Sequence, residues 1–304
     1  MPPAIETTAL AKRFGDIVAV DGVDLRVEQG EIYAFLGLNG AGKTTTIRML
    51  LGMVRPTAGR AFLLGEAVGP AGHGPWARVG HLVEAQASYP ELTARENLDV
   101  ARRLHGVTDG NVTSRAIERL GLGPYADRRA RTLSTGNLQR LGQARALMHD
   151  PEVVVLDEPS NGLDPAGVVE VRELLRDLVR ERGTTVFMSS HVLGEVDRLA
   201  TRIGIIHAGR LIEEVEADEL ERRRPRRLVV DARDRPAARG ALEAAGYNVQ
   251  VDADGALSLT EARALDAPEE VARLLVAAQV APTRLAVEQQ DLEAHFLSIT
   301  AAAS

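Results

Sequence analysis

The chain has 304 residues, 45% hydrophobic and 26% charged, with no cysteine and a formal net charge of −7. That length suits one large or two modest domains with a well-filled core. The missing cysteines exclude disulfides and thiolate metal sites, and the acidic balance argues against a nucleic-acid partner, which calls for a basic face.

The opening MPPAIETTAL has no basic segment leading into an apolar core, and no run reaches the roughly 18 apolar residues of a membrane span. The sequence therefore predicts a soluble protein that would serve a membrane only through a partner. Residues 4 to 36 read as strands and turns, with Val23, Leu25 and Val27 alternating ahead of a hairpin break at Gln29-Gly30. The run Ile32-Tyr33-Ala34-Phe35-Leu36 enters the glycine-rich stretch GLNGAGKTT, residues 37–45. Helical character follows from Lys43 and stops at Gly52, before the breaker Arg55-Pro56-Thr57. ARVGHLV predicts a strand, Tyr89-Pro90 a turn, Thr93 an N-cap, and residues 134–149 a further helix. EVVVLDEP then reads as a strand buried on both faces. Helix VVEVRELLRDLVRERG, strand TTVFMSSH, helix VLGEVDRLA and strand RIGIIHAG continue the alternation, which implies a predominantly parallel sheet flanked by helices.

Composition shifts at ELERRRPRRL, residues 219–228, which reads either as a linker or as a solvated helix end. Beyond it the order strand, helix, hairpin turning at Asp254-Gly255, helix, strand is that of a small ferredoxin-like split βαβ unit.

Residues 37–44 match G-x-x-x-x-G-K-[ST] in full. Glycines let successive backbone N–H groups face one concavity without a Cβ in the way, and the following helix adds its free N–H groups. Asn39, Gly40, Ala41, Gly42, Lys43, Thr44 and Thr45 are accordingly expected to hold a nucleotide phosphate, with Thr44 offering its hydroxyl to Mg²⁺. A phosphate loop alone does not separate a GTPase, kinase, helicase or transport ATPase; the absence of N-K-x-D counts against a GTPase.

The stretch LSTGNLQRLGQARALMHDPEVVVLDEPSNGLDP, residues 133–165, together with the loop, resembles the nucleotide-binding domain of ATP-binding cassette (ABC) transporters over roughly residues 4–215. The resemblance implies an α/β P-loop NTPase of ABC type, with a mixed, mainly parallel sheet, an antiparallel β subdomain and a helical subdomain at about 88–150. It places a nucleotide-binding domain at 1–220 and a small α+β ferredoxin-like accessory or regulatory domain at 221–304. Site roles follow residue by residue. Asp157 would hold Mg²⁺ and Glu158 would act as general base toward water. Ser134 and Gly136 would face the γ-phosphate bound on another subunit, although Thr135 and Asn137 replace the usual glycine and glutamine of that signature. Asp164 belongs to the loop that crosses the dimer interface, His191 to the γ-phosphate switch, and Phe14 to an adenine stack. The other histidines are expected to be structural. Glu84 stands where the family has a lid glutamine that ligates Mg²⁺, with Gln86 two residues on, as in bacitracin- and lantibiotic-resistance ATPases. DLEAHFLSIT, residues 291–300, resembles the closing segment of daunorubicin- and bacitracin-type export ATPases.

On that resemblance the protein binds ATP and Mg²⁺, pairs with a second copy, and sits at the cytoplasmic face of the cell membrane through a separate permease. It would drive export of a drug, peptide, lipid or polysaccharide. A soluble ABC ATPase acting on ribosomes or DNA, and a nucleotide-dependent regulatory protein with little turnover, are the alternatives.

Overall fold

The computed structural model describes all residues except 70–73, 84–87, 197, 224–225, 253 and 290–304. Among the described residues no helix is long and apolar enough to cross a membrane. The chain folds as two compact units, Met1–Asp218 and a second beginning at Glu219.

The first unit opens with β1 (Ile5–Phe14), β2 (Ile17–Val23) and β3 (Arg26–Val27), followed by β4 (Ile32–Leu36), α1 (Lys43–Leu50), β5 (Ala58–Leu63), β6 (Glu66–Ala67) and β7 (Val79–Leu82). Three helices come next: α2 (Ala94–Leu104), α3 (Val112–Arg119) and α4 (Thr135–Leu147). The unit then returns through β8 (Val153–Leu156), α5 (Pro165–Arg182), β9 (Thr185–Ser190), α6 (Leu193–Val196), β10 (Arg202–His207) and β11 (Arg210–Glu216).

Two sheets result. An antiparallel sheet has the order β2-β1-β5-β6, with β3 also on β1. A six-stranded sheet has the order β11-β10-β4-β9-β8-β7, parallel except for the β10–β11 edge. The hairpin of the antiparallel sheet is closed at Gly15, with φ 58°, between β1 and β2. Gln29-Gly30, expected as a hairpin, instead carries the chain from one sheet to the other. β4 is buried on both faces, so it joins the centre of the parallel sheet rather than pairing back on β3.

Period-2 alternation in β8 divides the core. Val153 and Val155 pack with Ile47, Leu50, Leu63 and Phe187 on the side of the antiparallel sheet. Val154 and Leu156 face Val171, Leu175 and Leu178 of α5. α2, α3 and α4 hold a separate core of Leu98, Ile117, Leu122 and Leu141. α2 starts at a full capping box, in which Thr93 and Glu96 satisfy each other's backbone N–H.

In the second unit, α7 (Ala217–Arg223) runs in from the first, and β12 (Arg226–Ala232), α8 (Arg235–Ala244), β13 (Gln250–Val251), β14 (Leu257–Leu259), α9 (Ala262–Asp266), α10 (Pro268–Ala277) and β15 (Pro282–Gln289) follow. The sheet order β13-β14-β12-β15 is wholly antiparallel, which is the ferredoxin-like arrangement. Leu228, Val230, Leu257 and Leu259 form its core with Ala238 and Leu242 of α8 and with Val271 and Leu275 of α10.

Candidate nucleotide site

The glycine-rich loop connects β4 to α1. Gly40 and Gly42 take φ of 82° and 107°, left-handed values that disfavour a Cβ. A Cβ on Gly42 would stand 2.6 Å from the Ala19 carbonyl, and one on Gly37 would stand 2.6 Å from that of Ile206. The loop is thus pressed between β2 and β10, and only glycine fits either approach. Below it lies a cleft of about 460 Å³ lined by Asn39, Gly40, Lys43, Thr44, Glu158 and His191 among others.

The charged groups of that cleft form one connected network. The Lys43 side chain, 6% exposed, donates to Gly37 O at 2.7 Å and to Leu38 O at 3.3 Å, and its Nζ lies 3.3 Å from Glu158 Oε1. The second Glu158 oxygen is 2.6 Å from His191 Nδ1. A carboxylate can only accept, so Nδ1 carries the proton in that contact. Thr44 Oγ1 donates to Asp157 Oδ2 at 2.8 Å, which joins the first turn of α1 to the end of β8. Ser189 Oγ, at the end of β9, donates to Asp157 Oδ1 at 2.6 Å and accepts from Glu158 N at 2.9 Å. Glu158 itself has φ 50°, in the left-handed region.

The Thr44 hydroxyl and Asp157 carboxylate are hard oxygen donors at adjacent positions. Among the described residues no group of three or more His, Asp or Glu could hold a metal ion. Two protein oxygens are nevertheless a fitting set for Mg²⁺, which keeps waters and takes substrate phosphate oxygens for the rest of its shell.

Known proteins match this chain over much of its length. The family model for ABC transporters matches residues 20–161. The bacitracin transport ATP-binding protein BcrA of Bacillus licheniformis is 45% identical over 223 residues, covering 73% of each chain. This chain belongs to the ABC transporter ATP-binding proteins. The daunorubicin resistance ATP-binding protein DrrA3 of Streptomyces coeruleorubidus is 37% identical across 98% of this chain and 96% of its own. Among solved structures, the ATP-binding subunit of an ABC transporter superposes with a TM-score of 0.65 at 26% identity, over 72% of this chain and 92% of the other. A dimeric bacterial ABC transporter cassette superposes at 0.64 with 25% identity, over 70% and 98%.

The cassette brings Asn39, Gly40, Gly42, Lys43, Thr44, Thr45, Glu158 and His191 to one cleft, with Asp157 hydrogen-bonded at its edge. Other expected site residues lie elsewhere. Ser134 N-caps α4, accepting from Asn137 N at 3.3 Å, and is exposed outside the cleft. Gly136 packs against the neighbouring loop, where a Cβ would stand 3.3 Å from Gly162 O. Asp164 N-caps α5 by accepting from Gly167 N at 2.9 Å. Ala41 is buried under the loop and accepts from Gly209 N through its backbone. Phe14 ends β1, half exposed, with the Lys12 ammonium 4.8 Å from its ring centre. Glu84, Gln86 and the 291–300 segment lie outside the described residues.

Sequence reasoning placed Gln139 with the signature but foresaw no contact for it, and it passed over two further side chains, Ser189 and Gln143. Ser189 bridges the two acids. Gln139 and Gln143 of α4 reach the backbone of residues 158 and 159. Gln139 stands beside the signature, but its target is distant in sequence, so spacing alone carries no sign of the contact.

Proposed function

We propose that this chain is the ATP-hydrolysing subunit of an ABC exporter, working as a head-to-tail pair of copies on the cytoplasmic face of a separate membrane permease. The observation that carries the reading is the Lys43–Glu158–His191 network, set beside a Thr44–Asp157 contact at the glycine-rich loop. Lys43 and the loop N–H groups bind the ATP phosphates. Thr44 and Asp157 would hold Mg²⁺, which when bound supplies positive charge to the phosphate oxygens. A phosphate competes with Glu158 for the Lys43 ammonium, and the released carboxylate takes a proton from the attacking water. His191, donating through Nδ1, keeps that carboxylate aimed.

Ser134 and Gly136 stand outside their own cleft, so a second copy is needed to bring them to the γ-phosphate. The exposed signature and the similarity to a dimeric cassette support this pairing. Similarity to bacitracin, daunorubicin-resistance and lantibiotic transport ATP-binding proteins supports export of a drug, peptide, lipid or polysaccharide, with the permease selecting the cargo. The second unit, of which residues 221–304 are the proposed extent, serves as an accessory or regulatory domain.

Glu158→Gln keeps the size and shape of the side chain and one of its two acceptor oxygens but removes its basicity. The variant is expected to bind ATP, accumulate as an ATP-bound dimer, and turn over at least about 100-fold more slowly, the usual share of a general base. Turnover assays with size-exclusion chromatography check this. Wild-type turnover in the variant would remove Glu158 as the base.

A further inference from the structure

α4 is capped by Ser134 and carries Gln139 and Gln143 on one face, separated by one helical turn. Their exposures are only 3% and 2%. Gln139 Nε2 donates to Pro159 O at 2.9 Å and to Glu158 O at 3.2 Å, and Gln143 Nε2 donates to Pro159 O at 2.9 Å. On the other side of the same residue, Glu158 N donates to Ser189 Oγ at 2.9 Å. Between these anchors Glu158 has φ 50°, a conformation that an L-residue keeps only when its surroundings enforce it.

We propose that Gln139 and Gln143 are positioning residues for ATP hydrolysis. They grip the carbonyls of residues 158 and 159, hold the Glu158 backbone in its left-handed turn, and so fix the direction of the carboxylate. The helix whose first turn serves the facing subunit's nucleotide thereby also sets the base of its own subunit. This rests on the reading of Glu158 as base. Neither glutamine lines the nucleotide cleft, so ATP affinity does not depend on them. Gln143 Oε1 is buried with no hydrogen-bond partner, so Gln143→Leu removes an orphaned acceptor together with the donor and leaves the fold at least as stable.

The test uses the full chain, with ATP turnover, affinity for a fluorescent ATP analogue and thermal unfolding measured on each variant. Gln143→Leu is expected to melt no lower than wild type, to bind within about twofold, and to lose roughly tenfold in kcat, as a slightly misaimed catalytic group does. Gln143→Glu turns an acceptor toward the Pro159 carbonyl. It should lose more at pH 8 and recover as the pH is lowered, because the protonated acid donates again. Wild-type kcat in Gln143→Leu overturns the proposal. So does a kcat loss matched by equal losses of affinity and melting temperature, or a Gln143→Glu pH profile parallel to wild type. Failure of the wild-type chain to hydrolyse ATP would instead overturn the ATPase reading, and would show before any variant is compared.

Discussion

Ser189 has a fully buried side chain, and its hydroxyl meets both acids of the cleft: it donates to the Asp157 carboxylate and accepts from the Glu158 N–H. One atom therefore fixes the side chain of the expected metal-binding residue and the backbone of the expected base. Ser189→Ala leaves the Glu158 N–H without that partner and takes one hydrogen bond from Asp157. Expected are a stability loss of about 1–3 kcal/mol, the range for stranding a buried donor, and a fall in turnover of about 10- to 100-fold, as for outer partners of ion ligands. Chemical denaturation and ATP turnover across a Mg²⁺ titration check it; an unchanged Mg²⁺ dependence would contradict a link to Asp157. At this scale the sequence was most legible where chemistry forces contiguity. Lys43 and Thr44 need the loop, and Asp157 and Glu158 need the strand end. The contacts of Ser189, Gln139 and Gln143 escaped because their partners are 31 to 32, 19 to 20 and 16 residues away, joined only by the parallel sheet and the packing of α4.

At the scale of elements, buried strands and capped helices were readable, while short or exposed ones were not. β4, β8 and β9 announce themselves as apolar runs, since they are buried on both faces. α3 is eight residues, five of them polar, and its N-cap Asn111 makes no side-chain cap bond, so no start signal marks it. β11 carries three glutamates and forms the antiparallel edge, which gives it no continuous apolar run. The helix expected over 192–200 is only the turn Leu193–Val196 in the described residues. His105 and His149, both expected to be structural, meet where the ends of α2 and α4 approach β7. Their rings stack at 3.7 Å, and His149 Nε2 lies 3.2 Å from Val79 O. Burial, with the His105 charge secondary, holds the His149 imidazole down from 6.5 to about 4; burial also lowers His105 and His81. The unfolded chain binds a proton near pH 6.5 that folded His149 refuses until about 4. The stability tied to this site is thus fully present above about pH 6.5 and drains away as pH falls toward 4. His149→Phe keeps a flat ring on His105 but cannot titrate. Its unfolding free energy should fall less steeply than that of wild type between pH 7 and 5, by urea denaturation at fixed ionic strength; equal slopes would deny the site its part in acid sensitivity.

For the whole molecule, the proposed pairing turns on a signature that lies outside the cleft lining of its own chain. Lys43, Thr44 and Glu158 share a cleft, whereas Ser134 caps an exposed helix end away from it. The motifs were each legible in sequence; that Ser134 and Gly136 do not line the cleft of their own chain is a matter of tertiary placement. Under the proposed pairing, each site takes its base from one copy and its signature from the other. Two variants each disabled in one half should then complement. Ser134→Asp preserves the helix cap, since aspartate caps as well as serine, but sets a carboxylate against the facing phosphate. Glu158→Gln retains the signature and lacks the base. Each variant alone should be nearly inactive. In a mixed pair, one site combines the intact cleft of the first with the intact signature of the second, and the other site is disabled twice. With random pairing and independent sites, half the dimers are mixed and each has one working site of two, so an equal mixture should recover about a quarter of wild-type turnover. Activity should rise with total protein concentration as pairs form. Turnover in the mixture no higher than the mean of the two separate variants would mean that hydrolysis does not combine residues from two copies.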